Sequence, residues 1–289
     1  MASSRDPGAD ELELASAAEA LELIRPLLDG RLLLASDFDG TISRLTLDLW
    51  SSAVAPAAQR ALRSLAAADD THVAFISGRT VPDLARRVAV GSATYHGDHG
   101  AEWATAARGF RVDRLDIQHE PVDPAVQATA ERLKVEVPAI VDEDWLEIED
   151  KGSALSFHFR QAPDVVAART KVRAAVERVD HTGLFDQPGG VRMWEVRPRG
   201  ATTKRRALAQ LIEEHQPDLV VMLGDDRNDA AAFAAIDAAR EDGRDGLAIG
   251  VLSRASDPAQ LERSADVVFP GAHVSARFLT LLARERSRR

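Results

Sequence analysis

The feature that most constrains this chain is an apolar segment that stops abruptly at two aspartates. Residues 32–41 read Leu-Leu-Leu-Ala-Ser-Asp-Phe-Asp-Gly-Thr. An uninterrupted apolar run of this kind is typical of a parallel strand buried on both faces, so we expect helices on both sides of a sheet. Because successive side chains of a strand point to opposite faces, Asp37 and Asp39 should share one face while Phe38 points into the core.

The two aspartates predict a cation-dependent site at the end of this strand. Two carboxylates on one face repel each other unless a cation lies between them, and oxygen ligands favour a divalent metal such as Mg²⁺. Gly40 permits a sharp turn, and Thr41 offers a hydroxyl to an anion that the metal attracts. The alternative is an acidic turn without chemistry, because short motifs also occur by chance.

Buried-strand sequence returns along the chain in alternation with helical sequence. The further segments of this kind are residues 72–76, 93–96, 219–223, 246–249 and 267–269. Between them, apolar residues recur at helical spacing, for example Ala58, Leu62 and Leu65. Strand and helix in alternation predict a doubly wound parallel sheet with right-handed crossovers.

A middle region has a different pattern, in which polar residues interleave with apolar ones. Its strand-like segments are residues 110–112, 146–148, 154–159 and 193–196, and helical patterns cover 124–135 and 164–179. Such alternation is typical of a sheet with one open face. We therefore predict an α/β protein whose core is formed by 1–107 and 199–289, with an α/β domain inserted at 108–198. The arginine-rich residues 284–289 should form a solvated helix end.

Further polar features fall at strand ends or at a helix start, where a phosphate could bind. Ser77 ends the second core strand, and Lys204 begins a helix, where a cation and free amide donors suit an anion. A later strand ends at Asp225 and Asp226, with Asp229 one helical turn on, and these acids can complete a metal shell. Each feature alone is commonly structural, but open α/β sheets bind ligands at the carboxyl ends of their strands.

Taken in order, these residues resemble the motifs of the haloacid dehalogenase superfamily of phosphotransferases. The resemblance implies that Asp37 is a nucleophile that becomes phosphorylated and that Asp39 is a general acid and base. It implies that Thr41, Ser77 and Lys204 act on the transferring phosphoryl group and that the inserted domain is a cap. The implied Mg²⁺ ligands are Asp37, Asp39, Asp225, Asp226 and Asp229, and the choice between Asp226 and Asp229 as a direct ligand stays open.

Shorter signatures resemble the trehalose-6-phosphate phosphatases in particular. They are Ile76-Ser77-Gly78-Arg79, His96-Gly97-x-His99-Gly100-Ala101-Glu102, Glu149-x-Lys151-Gly152, Phe157-His158-Phe159-Arg160, Trp194-Glu195-Val196-Arg197-Pro198 and Gly224-Asp225-Asp226. The resemblance implies hydrolysis of trehalose 6-phosphate to trehalose and phosphate, with Mg²⁺ as the cofactor.

This closer resemblance also implies a set of substrate contacts. It assigns Arg79 and His99 in the core, and Glu149, Lys151 and Glu195 in the inserted domain, to binding of the sugar phosphate. Carboxylates beside a cation suit a ligand with many hydroxyls, because such a ligand needs both donors and acceptors. The alternative is that Glu149, Lys151 and Glu195 pair with one another on the open face of the sheet.

The chain departs from the family pattern at two positions. Ala230 stands where family members usually carry a glutamate, and Arg205 follows Lys204 where a glycine is usual. Neither change removes a core catalytic group. Both concern the surroundings of the metal and the fit of the substrate.

Composition limits the partners of the chain. Its 36 Lys and Arg residues against 46 Asp and Glu residues leave a formal charge of −10, which argues against nucleic acid and anionic membranes. The absence of cysteine excludes disulfides, thiolate metal sites and thiol nucleophiles. No apolar run approaches the roughly 20 residues that span a bilayer, and the polar N-terminus does not resemble a signal peptide. We expect a cytoplasmic monomer that acts on a small molecule.

Two other functions stay open at this point. The same core could act on another sugar phosphate, such as sucrose phosphate or a glycosyl-glycerate phosphate. A catalytically silent module that binds sugar phosphates is disfavoured, because Asp37, Asp39 and Lys204 are all present.

Overall fold

The structure is a computed structural model that describes residues 15–43, 52–151, 154–189, 192–254 and 256–288. Its contacts divide the chain into two compact units. The core unit comprises the chain up to Gln118 together with Thr203 onward, and the inserted unit is His119–Thr202. That residues 108–198 form a separate functional domain stays a prediction.

Strands and helices alternate along much of the described part of the chain, as expected. The strands are β1 (Leu32–Ser36), β2 (Thr71–Ile76), β3 (Ala93–Gly97), β4 (Glu102–Ala106), β5 (Gln118–His119), β6 (Glu147–Asp150), β7 (Leu155–His158), β8 (Phe185–Asp186), β9 (Met193–Pro198), β10 (Leu219–Gly224), β11 (Asp245–Val251) and β12 (Val267–Phe269). The α-helices are α1 (Ala17–Ile24), α2 (Pro56–Ala66), α3 (Val81–Val88), α4 (Pro124–Val141), α5 (Val165–Val179), α6 (Lys204–His215), α7 (Arg227–Glu241), α8 (Pro258–Ser264) and α9 (Ala272–Arg286).

The core sheet has eight strands in the spatial order β12-β11-β10-β1-β2-β3-β4-β5. The strands from β12 to β3 pair in parallel, and β4 returns antiparallel to β3. Strand β1 lies between β10 and β2, with Ser36 level with Leu223 on one side and with Phe75 on the other. The carboxyl ends of these three strands therefore meet at one edge of the sheet.

Alternate side chains of β1 enter two apolar layers, which explains the uninterrupted apolar run. Leu32 and Leu34 pack in a cluster with residues of α1, α2, α3 and α9. Leu33 and Ala35 pack in a second cluster with residues of α6 and α7. Full burial of one such leucine side chain contributes about 1.5–3 kcal/mol, so both faces of the sheet are anchored to helices.

The core unit differs from the sequence prediction beside the β3–β4 hairpin. Strand β4 was not predicted, although Glu102, Ala104 and Ala106 alternate with more exposed residues. The strand predicted at 110–112 is wrong, since a 3-10 turn occupies Val112–Arg114. Phe110 and Val112 instead pack against the core cluster, so their apolar character reflects packing and not a strand.

The inserted unit is a four-stranded antiparallel sheet in the order β6-β7-β9-β8, with α4 and α5 packed on one face. Leu155, Phe157 and Val196 point into that apolar layer. Their sequence neighbours Ser156 and Glu195 lie opposite each other in the β7–β9 register, on the other face. The alternating pattern of the sequence thus corresponds to a sheet with one apolar and one polar face.

The end of α9 is integrated into the core unit. The Arg286 guanidinium donates hydrogen bonds to the backbone carbonyls of Leu28, Gly30 and Asp69 and to Thr71 Oγ1. A guanidinium carries enough donors to satisfy several carbonyls that lie before the first residues of β1 and β2. The expectation of a solvated helix end is therefore wrong at this position.

Within the described ranges, no helix combines the length and the apolar character that crossing a bilayer requires.

Candidate functional site

The carboxyl-end edge of the core sheet gathers three of the predicted acids. Carboxylate oxygens of Asp37, Asp225 and Asp229 lie within 4.8 Å of one another, and all three residues are buried. The position of Asp37 continues the β1–β10 ladder, because its N–H donates to the Leu223 carbonyl at 2.9 Å. Residues on either side of the inserted unit in sequence are thus brought together by strand pairing.

Two glycines make room for these carboxylates. Gly40 has a φ of +83°, and a Cβ there would lie 2.2 Å from Asp225 Oδ2. A Cβ at Gly224 would lie 2.2 Å from the Asp229 Cβ. Both glycines of the sequence motifs are therefore required by the close approach of an acid, and Gly40 also by a backbone conformation that other residues adopt with strain.

Lys204 is the cation within this acidic cluster. It is the first residue of α6, and its Nζ donates to Asp37 Oδ1 and to Asp229 Oδ1, each at 2.7 Å. The Thr41 hydroxyl lies 3.3 Å from Asp37 Oδ2 and 3.3 Å from Asp225 Oδ1. The Lys204 ammonium contacts two of the three buried carboxylates, and its single positive charge does not balance three ionised acids. The charge of the cluster therefore suits a divalent cation.

The structure distinguishes the positions of Asp226 and Asp229. Asp226 is the N-cap of α7, where its Oδ1 accepts hydrogen bonds from the N–H groups of Asn228 and Asp229. Asp229 Oδ2 accepts from the N–H groups of Asp225 and Asp226, and its Oδ1 faces Lys204. Asp229 therefore lies in the cluster, whereas the Asp226 carboxylate is engaged by the helix start.

Asp39 points to a different partner from Asp37. Arg79 donates from Nε to Asp39 Oδ2 at 2.5 Å and from Nη2 to Asp39 Oδ1 at 2.9 Å. The guanidinium carbon lies 5.4 Å from the centroid of the Phe38 ring. Asp39, which was predicted to bind the metal, is thus held by the guanidinium of Arg79. Arg79 was predicted to bind the substrate, and in the structure it contacts the Asp39 carboxylate.

Ser77 and His99 lie together beyond β2. The buried Ser77 carbonyl accepts from the His99 N–H at 2.9 Å, and the Ser77 hydroxyl accepts from the Arg79 N–H at 3.3 Å. A Cβ at Gly78 would lie 2.8 Å from the His99 ring. His99 and its neighbour Asp98 both have positive φ, 58° and 44°, in the turn between β3 and β4. Such backbone is costly for non-glycine residues and is concentrated at functional sites.

Two of the predicted sugar contacts, Glu149 and Glu195, lie in one row across the sheet of the inserted unit. Glu149 is opposite Ser156, which is opposite Glu195. Lys151 Nζ lies 3.5 Å from Glu195 Oε1, and the structure thus shows one of the pairings weighed as the alternative to sugar binding. The carboxylate of Glu149 pairs with His158 at 3.1 Å, and this hydrogen bond holds the pKa of Glu149 below its ordinary value.

Comparison with known proteins identifies the family. Residues 35–265 match the family model described as Trehalose-phosphatase. This chain belongs to the trehalose-phosphatase family. A trehalose-phosphate phosphatase of Mycobacterium tuberculosis is 30% identical over 233 residues, which cover 78% of this chain. The chain spans only part of such relatives, 56% of this one and 17% of a longer protein from the same organism.

Solved structures confirm the predicted fold class. The C-terminal domain of a trehalose-6-phosphate phosphatase from C. albicans superimposes with a TM-score of 0.68 at 20% identity, covering 90% of this chain and 96% of that domain. A haloacid dehalogenase-like hydrolase from Bacteroides thetaiotaomicron gives a TM-score of 0.60 at 13% identity, covering 89% of this chain and 98% of the other. The doubly wound core with an inserted α/β module is therefore the haloacid dehalogenase-like fold.

Two serines of this trehalose-phosphatase family member were not predicted as site residues. The Ser253 hydroxyl donates to Asp225 Oδ2 at 2.5 Å, and the Ser256 hydroxyl donates to the Asp225 carbonyl at 2.7 Å. Both lie just beyond β11, the strand next to β10. The general rule that ligands bind at the carboxyl ends of parallel strands would have directed attention to this segment, although the residue types alone carry no signal.

The two departures from the family pattern lie in different surroundings. Ala230 is buried and packs in the apolar cluster between the sheet and α6 and α7. Arg205 is exposed on the first turn of α6. Ala230 therefore serves the packing of α7, while Arg205 faces away from the buried side of α6.

Burial sets the protonation of the cluster. It raises the pKa of Asp37 to about 7 despite Lys204, and it raises the pKa of Asp225 to about 7, with the Asp229 charge adding to the shift. Burial by itself would lower the pKa of Lys204, but Asp229 and Asp37 outweigh it and the net shift is upward. The pKa of Asp226 falls to about 2, because Lys204 and the N–H of Asp229 outweigh its burial.

We expect Asp225→Asn to stabilise the metal-free protein at about pH 8. A carboxyl whose pKa is raised on folding contributes stability below its unfolded pKa, and that contribution is lost as pH rises towards the folded value, here from about 4 to about 7. The variant should gain about 1–4 kcal/mol at about pH 8 and little at about pH 4, measured by urea unfolding in EDTA. Asp237→Asn, on the exposed side of α7, is the control. A variant less stable than the parent at about pH 8 would contradict the assignment.

Proposed function

We propose that this chain is a Mg²⁺-dependent phosphatase that hydrolyses trehalose 6-phosphate through an aspartyl-phosphate on Asp37. The observation that carries the proposal is the buried cluster of Asp37, Asp225 and Asp229 around Lys204, at the carboxyl ends of β1 and β10, in a member of the trehalose-phosphatase family. The same core chemistry on another sugar phosphate is the rival that the experiments below separate.

The donor set of the cluster fits Mg²⁺. Its ligand atoms are carboxylate oxygens, which hard divalent cations prefer. When all three acids are ionised, one ammonium also leaves an excess of buried negative charge. Asp37, Asp225 and Asp229 would hold the ion, which, when bound, supplies positive charge for the phosphate oxygens.

Asp37 is the proposed nucleophile. Lys204 holds its Oδ1 at 2.7 Å, whereas Oδ2 has the longer contact of 3.3 Å with the Thr41 hydroxyl, so Oδ2 is the oxygen proposed to attack phosphorus. A covalent intermediate divides hydrolysis into two easier displacements. Thr41, beside Oδ2, and Lys204 would stabilise the charge on the transferring phosphoryl group, which is the main source of rate in such reactions.

Asp39 is the proposed proton-transfer group. In its protonated form, Asp39 would donate its proton to the departing sugar oxygen. The resulting carboxylate would then accept a proton from the water that hydrolyses the aspartyl-phosphate, which restores the acid. Arg79 gives this carboxylate a defined orientation through two hydrogen bonds. The two acids of the first motif therefore have separate partners and separate tasks.

We expect the protein to be inactive after treatment with EDTA and to recover with Mg²⁺. Without substrate, Mg²⁺ at about 100 times its Kd should stabilise the folded protein by about 2.7 kcal/mol, because it binds only the folded cluster.

In a phosphate-release assay, trehalose 6-phosphate should have a kcat/KM at least about 10-fold above that of sucrose phosphate and of a glycosyl-glycerate phosphate. Full activity after chelation would contradict the metal assignment, and a preference for another ester would contradict the substrate.

Discrimination among sugars should reside in the inserted unit, because the core residues handle only phosphate. We expect Glu149→Ala, Lys151→Ala or Glu195→Ala to lower kcat/KM for trehalose 6-phosphate by about 1–3 kcal/mol, the effect of leaving polar groups unpaired. Hydrolysis of para-nitrophenyl phosphate should change little. Glu177→Ala, on the exposed side of α5, is the control. Equal losses on both substrates would show that these residues support the unit and do not contact the sugar.

A further inference from the structure

A chain of alternating charges connects Asp39 to helix α3. Arg79 uses Nε and Nη2 for Asp39, at 2.5 and 2.9 Å, and its Nη1 donates to Asp83 Oδ2 at 2.7 Å. One guanidinium therefore bridges the carboxylate proposed to transfer protons and a carboxylate in the first turn of α3.

Asp83 is itself held firmly. Arg87, one helical turn along α3, places its Nε 2.9 Å from each oxygen of Asp83. The Arg87 side chain is only 9% exposed and also donates from Nη1 to the Ser52 carbonyl at 3.0 Å. An acid in the first turn of a helix is further favoured by the helix dipole. Asp83 thus offers Arg79 a contact anchored to the backbone of the core unit.

The third contact of Arg79 matters for geometry. Two parallel hydrogen bonds join Arg79 and Asp39 into a rigid pair, but such a pair can still swing about its side-chain torsions. The contact with Asp83 fixes the guanidinium relative to α3, while the Phe38 ring lies against its face. With Arg79 and Asp83 only 13% and 22% exposed, water weakens these contacts less than it would at the surface.

We propose that Asp83 is a positioning residue for phosphoryl transfer, which fixes Arg79 so that Arg79 holds Asp39 in the orientation for proton transfer. This inference rests on the proposed function, in which Asp39 protonates the leaving oxygen. It gives Arg79 the role of orienting Asp39.

The inference predicts a dependence on the leaving group. An alkoxide leaving group needs a proton from Asp39, whereas nitrophenolate leaves without one. Asp83→Asn should therefore lower kcat/KM for trehalose 6-phosphate about 10-fold to 100-fold, mainly through kcat, and change kcat/KM for para-nitrophenyl phosphate less than about 2-fold. Asp83→Glu, which keeps the carboxylate, should recover part of the loss.

A double-mutant cycle tests whether Asp83 acts through Arg79. Asp83→Asn should have little further effect in an Arg79→Gln background, because the element that it positions is already absent. Glu136→Gln on α4 is the matched control, since it removes an arginine–carboxylate pair of the same i, i+4 spacing in the other unit. Its kinetics should equal those of the parent.

The outcomes separate this inference from the proposed function. If the parent hydrolyses trehalose 6-phosphate but Asp83→Asn has additive effects, or equal losses on both esters, Asp83 supports only the helix and the inference is wrong. If the parent prefers another alkyl phosphate, the substrate proposal fails and the same cycle on that ester decides the role of Asp83. A parent without activity on any phosphate ester would overturn both.

Discussion

The ammonium of Lys204 between the carboxylates of Asp37 and Asp229 is the interaction on which the rest of the site depends. Burying a carboxylate away from water is unfavourable unless a cation and hydrogen bonds compensate. Here Lys204 is shared at 2.7 Å by two acids, while among the described residues the hydroxyls of Thr41 and Ser253 donate to the Asp225 carboxylate. Lys204 and these hydrogen bonds therefore do not fully compensate the burial of the three carboxylates, and a bound divalent cation would complete the compensation.

The sheet explains how so many acids reach one place. Strands β1 and β10 are neighbours in space although the inserted unit lies between them in sequence. Helix α6 then presents Lys204 to their carboxyl ends, and α7 begins with the paired caps Asp226 and Asp229. Ordinary strands and helices thus position the cluster, and Gly40 and Gly224 leave the space that its carboxylates occupy.

The sequence predicts the position of a residue where backbone geometry determines that position. It does not predict the partner of a side chain where packing determines that partner. The placement of Asp37 and Asp225 at one edge follows from the meeting of parallel strand ends, which the apolar runs indicate. The pairing of Asp39 with Arg79 could not be predicted in the same way, because it depends on which rotamer the fold around α3 permits.

The same limit explains the other differences. Ser253 and Arg286 have residue types that occur throughout protein surfaces, and their partners are set by chain segments distant in sequence. The segment at 110–112 carries apolar residues that pack on the core without forming a strand. Composition and spacing show that a residue is apolar or charged, but tertiary structure decides which neighbour it contacts.

The role of Asp37 as the nucleophile is tested most directly by locating the phosphate on the protein during turnover. The parent and Asp37→Asn would be mixed with trehalose 6-phosphate and Mg²⁺, quenched in acid within the first turnover, and mapped by peptide mass spectrometry. We expect one phosphoryl group on Asp37 in the parent, and neither phosphoprotein nor turnover from the folded variant. Phosphate on another residue, or turnover by Asp37→Asn at the parent's rate, would contradict it.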